Sequence, residues 1–177
     1  MNRWYLDTEF LEDGITIDLI SIALVHEDGE THYYAGNSGC SINRIHNDDW
    51  LMNHVMPHLP PFEFPGGPKS FWKPKSLIRS QLIELFGIVR GANPDGQPEI
   101  WADFASYDWV AFCQIFGRMI DLPSGLPMFC MDLMQDLRQQ GIKRSELPRQ
   151  EPATEHHALQ DARWLRKAHR FAQGLNW

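Results

Sequence analysis

The chain lacks any apolar run of the roughly 20 residues needed to cross a bilayer, so no membrane association is expected. It is poor in cysteine: Cys40, Cys113 and Cys130 are its only three among 177 residues. Their odd number and wide spacing exclude a disulfide framework and a zinc cluster. They read as buried thiols in a reducing compartment, and a cytoplasmic location is expected. The opening residues, MNRWYLDTEF, carry acids where a signal peptide would need an apolar stretch. No internal repeat or low-complexity tract is visible. Positive charge is also scarce, with 16 Lys and Arg against 23 Asp and Glu and a net charge of −7. A basic footprint is the usual sign of phosphate binding, so this balance argues at first against nucleic acid. The deficit is local, however. Residues 1–68 hold 11 acids against Arg3 and Arg44, a net of −9, while residues 69–177 hold 12 acids against 14 bases, a net of +2.

What is present fits one folded domain over 1–177. Hydrophobic residues make up 43% and charged residues 22%, which excludes wholesale disorder. Segment 3–10 alternates and is rich in aromatics, and 15–26 is β-branched and mostly apolar, so both read as strands. Asp28-Gly29 then marks a hairpin into a third strand. The spacing predicts helices over 47–55, from an N-cap at Ser76 to about Arg90, over 106–117, over 132–140 with Asp132 as cap, and over 155–173 with Thr154 as cap. Short strands are expected at 99–103 and 127–131. Residues 60–74, with five of the 12 prolines, and the stretch GANPDGQP read as surface loops. This order implies a mixed α/β sheet, antiparallel over its first three strands and parallel afterwards, flanked by helices.

Asp7 and Glu9 are two apart on the first strand, so they share a face with Tyr5, leaving Trp4, Leu6, Thr8 and Phe10 for the core. Neighbouring carboxylates on a strand repel unless a cation neutralises them. They are either hard oxygen ligands for Mg²⁺ or Mn²⁺ or two solvated acids. Asp161 lies beside the apolar stripe Ala158, Ala162, Leu165 and Ala172 of the last helix, where an acid needs a partner. His157 precedes Asp161 by four residues and could pair with it, whereas His156, five residues before Asp161, shares no helix face with it unless it belongs to the loop or first turn leading in. Asp108 either serves the site or simply favours the first turn of its helix.

In order along the chain, Asp7-Thr8-Glu9-Phe10, Tyr107-Asp108 and His156-x4-Asp161 resemble the three motifs of the DEDDh exonucleases, a 3′→5′ exonuclease superfamily with an RNase H-like fold. YLDTEFLEDG (5–14), LISIALV (19–25), WLMNHVMPHLP (50–60) and YDWVAFCQIFG (107–117) further resemble the polyadenylate-specific exoribonucleases, RNase AS. Many DEDDh relatives carry asparagine four residues before the second-motif aspartate. Phe104 stands there in this chain, which favours the RNase AS subgroup.

The resemblance implies two Mg²⁺ ions, with Mn²⁺ as a substitute, held by Asp7, Glu9, Asp108 and Asp161. It implies His156 as general base, a side chain type that titrates near neutral pH. It also implies single-stranded RNA shortened from its 3′ end, with poly(A) favoured, and a homodimer. Thr8, Phe10, Trp50 and His54 are the expected substrate contacts. Trp50 and His54 share a helix face, and the indole could stack on a base, although helix packing would also account for the pair. Segment 69–79 interleaves bases with Phe71 and Trp72, which suits either strand tracking or a solvated loop. The bases of the last helix read as a solvated or interface face. Two other readings compete: action on short oligonucleotides or single-stranded DNA, and a non-catalytic nucleic-acid-binding domain.

Overall fold

The structure is a computed structural model that describes residues 2–62, 69–89 and 96–175. The expected helix end at Arg90 lies outside these residues, as do 63–68 and 91–95 of the two expected loops. Among the described residues six strands, β1 (Arg3–Glu12), β2 (Ile17–His26), β3 (His32–Asn37), β4 (Trp72–Lys73), β5 (Glu99–Ala102) and β6 (Met131–Asp132), form one sheet in the order β4-β3-β2-β1-β5-β6. β1, β2 and β3 pair antiparallel, and β4, β5 and β6 join parallel. This is the expected mixed α/β arrangement, consistent with an RNase H-like fold. Asp28 closes the β2–β3 hairpin by accepting from the amides of Glu30 (2.8 Å) and Thr31 (2.9 Å). Gly29 supplies the positive φ of 82° that a side chain would resist.

Among the described residues six α-helices accompany the sheet: α1 (Ile42–His46), α2 (Asp49–His54), α3 (Lys75–Leu85), α4 (Ser106–Phe116), α5 (Leu133–Gln140) and α6 (Ala158–Ala172). Their ends depart from the sequence reading where local hydrogen bonding decides. The helix expected over 47–55 is α2, which starts only at Asp49 because the Asp48 side chain accepts from the Leu51 amide (3.0 Å), and α1 precedes the expected span. α3 begins at Lys75 after Pro74, not at a Ser76 cap: proline fixes the extended entry and needs no amide partner. α6 starts at Ala158, because Pro152–Thr154 form a separate 3₁₀ turn. Asp132 caps α5 as expected, accepting from the Gln135 amide (2.9 Å).

The sheet is buried on both faces. Trp4, Leu6, Ile22 and Leu24 pack against Ile78, Leu82 and Phe86 of the α3 region and Phe112 and Phe116 of α4. On the opposite face Tyr5, Ala23, Val25 and Trp101 pack against α5 and the stripe Ala158, Ala162, Leu165 and Ala172 of α6. This corrects the view of β1 as having one core face, since Tyr5 is only 1% exposed. Its hydroxyl pairs with Nδ1 of buried His169 at 3.0 Å. The alanines of α6 let the helix lie close to β1 and β2, which brings Asp161 to the strand.

The segment 69–79 also differs from a strand-tracking surface. Trp72 is 1% exposed, donates from Nε1 to the carbonyls of Pro60 and Pro61, and packs with Leu11, Ile20 and Val55. Lys73 is buried over the ring of Tyr33. Gly36 makes room for this segment, because a Cβ there would meet the Phe71 and Trp72 rings at 2.5 Å. Cys40 and Cys113 are buried thiols, and Cys130 is partly exposed, with its Sγ donating to the Ile100 carbonyl. Among the described residues no helix is long and apolar enough to cross a membrane.

Candidate active site

β1 carries Asp7 and Glu9 along the middle of the sheet, and α6 brings Asp161 against them. One ligand atom from each of these three carboxylates lies within 4.8 Å of the others. The bulge between Glu9 and Phe10 shifts the β1–β2 register just beyond the pair, which is where bulges commonly re-aim side chains. Phe10 is half-buried and stacks on Tyr107 (5.7 Å between centroids, 16° between planes).

Asp108, in the first turn of α4, is buried and reaches the same strand from below. Its Oδ1 accepts from both the amide (2.8 Å) and the hydroxyl (2.6 Å) of Thr8. Thr8 is therefore engaged with Asp108, which the sequence reading of a substrate contact does not anticipate. Asp108 is not one of the three carboxylates that share the 4.8 Å cluster.

Crowding and burial shift all four acids in one direction. Asp7 is held well above the usual carboxylate range, first by loss of water and then by the charges of Asp108, Glu9 and Asp161. Glu9 is pushed up to about 8 by burial and by Asp161 and Asp108. Burial lifts Asp108 to about 7 against the two hydrogen bonds from Thr8. Asp161 is raised by burial, with the Gln150 amide and His156 holding it back. Such a set cannot be fully ionised at neutral pH without added positive charge. Its donors are all hard oxygens, the type that suits Mg²⁺ or Mn²⁺, so the residues present fit a divalent-cation site.

His156 and His157 part company at the entry to α6. The His157 backbone amide donates to Asp161 Oδ2 (3.1 Å), while its ring stacks on Tyr34 (5.0 Å). The expected side-chain pairing of His157 with Asp161 is thus made by the main chain. His156 instead lines a cavity of about 610 Å³ together with Asp7, Asp103, Arg144 and Asp161. Its φ of +62° is a left-handed conformation, costly for a side chain without a local reason and concentrated at functional sites. Trp50 meets His156 edge-on (4.8 Å) and stacks on His54 (5.0 Å). Segments about 100 residues apart in the chain therefore converge on this histidine, with Trp50 still 49% exposed.

Two participants carry no sequence signal. Gln150 Nε2 donates to Asp161 Oδ1 and to the Thr154 carbonyl, tying the segment before α6 to the carboxylate cluster. Arg144 pairs with Asp103 (2.7 Å) and lies over the Phe104 and Trp164 rings. Neither belongs to a periodic pattern, and only the folded path of residues 144–157 brings them to the cavity.

No protein-family model matches the chain. Among curated proteins it is similar to two named 3′-5′ exoribonuclease, from the CDC 1551 / Oshkosh and ATCC 25618 / H37Rv strains of Mycobacterium tuberculosis. Each is 41% identical over 164 residues, spanning 91% of this chain and 87% of the relative.

Proposed function

The chain belongs to the 3′-5′ exoribonuclease family of those mycobacterial proteins, and from that premise we propose that it is a DEDDh-type, Mg²⁺-dependent enzyme of the polyadenylate-specific kind. In this reading it releases nucleoside 5′-monophosphates from the 3′ end of single-stranded, adenylate-rich RNA. The carrying observation is the cluster of Asp7, Glu9 and Asp161 within 4.8 Å, all with raised pKa values, beside a histidine on left-handed backbone.

Asp7, Glu9, Asp161 and Asp108 would hold two divalent ions, with Mn²⁺ able to replace Mg²⁺. Bound there, the ions offset charge on the scissile phosphate and make a water a better nucleophile. The protein's own part is orientation and proton transfer. Thr8 fixes the rotamer of Asp108 through two hydrogen bonds. Gln150 and the His157 amide fix Asp161 from both sides. His156, facing the same cavity as Asp7 and Asp161, takes the proton of the attacking water at its imidazole nitrogen, a step worth 10²–10⁴-fold in general. The half-exposed Trp50 and the neighbouring His54 offer a stacking surface to the terminal base, and Phe10 with Tyr107 forms a second ring pair near the strand end. The single domain over 1–177 and the pairing with a second copy remain part of this proposal. The exposed side chains of Phe104, Tyr107 and Val110 near the start of α4 support the pairing, and sedimentation velocity tests it.

The test uses 5′-labelled poly(A), poly(U) and single-stranded DNA, each with Mg²⁺ and with EDTA. A Mg²⁺-dependent ladder on poly(A) ahead of the other two is the expected result. Equal degradation of DNA refutes the RNA preference, and equal rates on poly(U) refute the adenylate preference. Absence of degradation on all three would favour a binding module.

A further inference from the structure

Residues 144–157 cross over α6 and divide the space above it. On one side lies the cavity with Asp7, His156 and Asp161, and on the other a second groove of about 440 Å³. Arg149, Gln150 and Trp164 line both, so a single wall separates them. Trp164 Nε1 donates to the Pro148 carbonyl (2.7 Å), and Gln150 reaches Asp161, which anchors that wall to the helix.

The second groove is a concentration of cations in a chain of net charge −7. Arg149, Arg163, Arg166 and Lys167 line it against one acid, Glu151. Arg166 is fixed as its floor, with Nε donating to the Glu27 carbonyl (3.0 Å) and its guanidinium lying against Gly29. Among the described residues, Arg149, Arg163 and Lys167 form no ion pair with a carboxylate. Unpaired cations gathered at one groove are complementary to a polyanion.

We infer that this groove takes the phosphodiester backbone of RNA nucleotides lying 5′ of the one at the carboxylates. The inference rests on the exoribonuclease reading and adds where the rest of the strand runs. Arg163 and Lys167 follow Asp161 by two and six residues, which is about 3 and 9 Å along the helix axis. At about 3.4 Å per charge on a stacked strand, that is the reach of one to three nucleotides. A dinucleotide, whose only phosphodiester is the one at the carboxylates, therefore offers the groove no phosphate, and a long strand does.

The experiment compares Arg163→Ala/Lys167→Ala with the wild type on an adenylate dinucleotide and on a long oligoadenylate. Both substituted side chains lie outside the carboxylate cluster. For the long substrate KM should rise about tenfold with kcat unchanged, and dinucleotide kinetics should not move. The slope of log affinity against log salt should fall by about 1.4, at 0.7 per lost phosphate contact. An unchanged KM and salt slope on the long substrate overturns the inference. A shift in sedimentation without a change in length dependence also overturns it and marks the groove as an interface between copies. If the wild type cleaves neither substrate, the exoribonuclease reading fails separately. Fluorescence anisotropy of long oligoadenylate in EDTA then still reads the groove, with weaker binding by the variant expected and equal binding refuting it.

Discussion

Replacing Glu9 by glutamine should make the metal-free protein more stable at neutral to alkaline pH, although Glu9 is buried in the candidate catalytic cluster. The carboxyl has a pKa of about 8 in the folded chain against 4.5 as its ordinary value. A raised folded pKa means that the unfolded chain gives up its proton first. Stability is then fully present below about pH 4.5 and falls as pH rises, by about 1.4 kcal/mol per unit, until the folded group ionises near pH 8. The interval of some three and a half units sets a ceiling of about 5 kcal/mol at 1.36 kcal/mol per unit. Movement of the carboxylates toward the cavity lowers the realised value, so a gain of roughly 2–5 kcal/mol is expected for Glu9→Gln above pH 8. Near pH 4 the side chain is neutral in both proteins and the difference should vanish. Urea unfolding in EDTA at pH 4, 6 and 8 measures this directly. A variant less stable than wild type at pH 8, or a difference independent of pH, would refute the account of four mutually repelling acids.

Three further outcomes follow from the same geometry. Thr8→Val keeps shape but removes the hydroxyl bonded to Asp108 at 2.6 Å, so stability should drop by about 2 kcal/mol above pH 7 and by less where Asp108 is protonated. Equal losses at both pH values, read by denaturant titration, would contradict that. His156→Gly removes the imidazole while matching the +62° φ. Thermal unfolding should show stability within about 1 kcal/mol of wild type or slightly above it, while kcat falls 10²–10⁴-fold. Trp50→Ala should raise KM for RNA by about 5- to 150-fold, from roughly 1–3 kcal/mol of lost stacking, with little change in kcat. A KM unchanged in steady-state assays would assign Trp50 to helix packing alone.

The antiparallel start of the sheet was legible because β1 and β2 alternate or run apolar over ten residues each, and because Asp28-Gly29 is strong turn chemistry, whereas β4 lies inside the segment 60–74 that reads as a loop. The helix starts were less so, since competing caps lie within a few residues of each other. Asp48 outranks its neighbours by reaching the Leu51 amide, whereas Thr154 is absorbed into a 3₁₀ turn. The acidic residues could be named from spacing and resemblance, but their mutual crowding could not, since it depends on how closely the alanine stripe of α6 docks on β1. The aromatic-basic composition of 69–79 pointed to the surface. Trp72 and Lys73 are nonetheless buried, because Trp72–Lys73 pairs with β3 and Gly36 leaves space for the rings. The functional weight of the bases in α6 likewise depends on a neighbour, the chain crossing at Arg149 and Gln150, that helical periodicity cannot reveal.

The proposed cation site at which RNA is cut is made of Asp7, Glu9, Asp108 and Asp161. Its most direct test follows shortening of 5′-labelled oligoadenylate across a Mg²⁺ titration by wild type and Asp7→Asn. Stepwise shortening by wild type that rises with Mg²⁺ and stops in EDTA is expected, with none by the variant at any Mg²⁺ concentration. Shortening by wild type that persists in EDTA, or an Asp7→Asn variant that matches wild type, would contradict it.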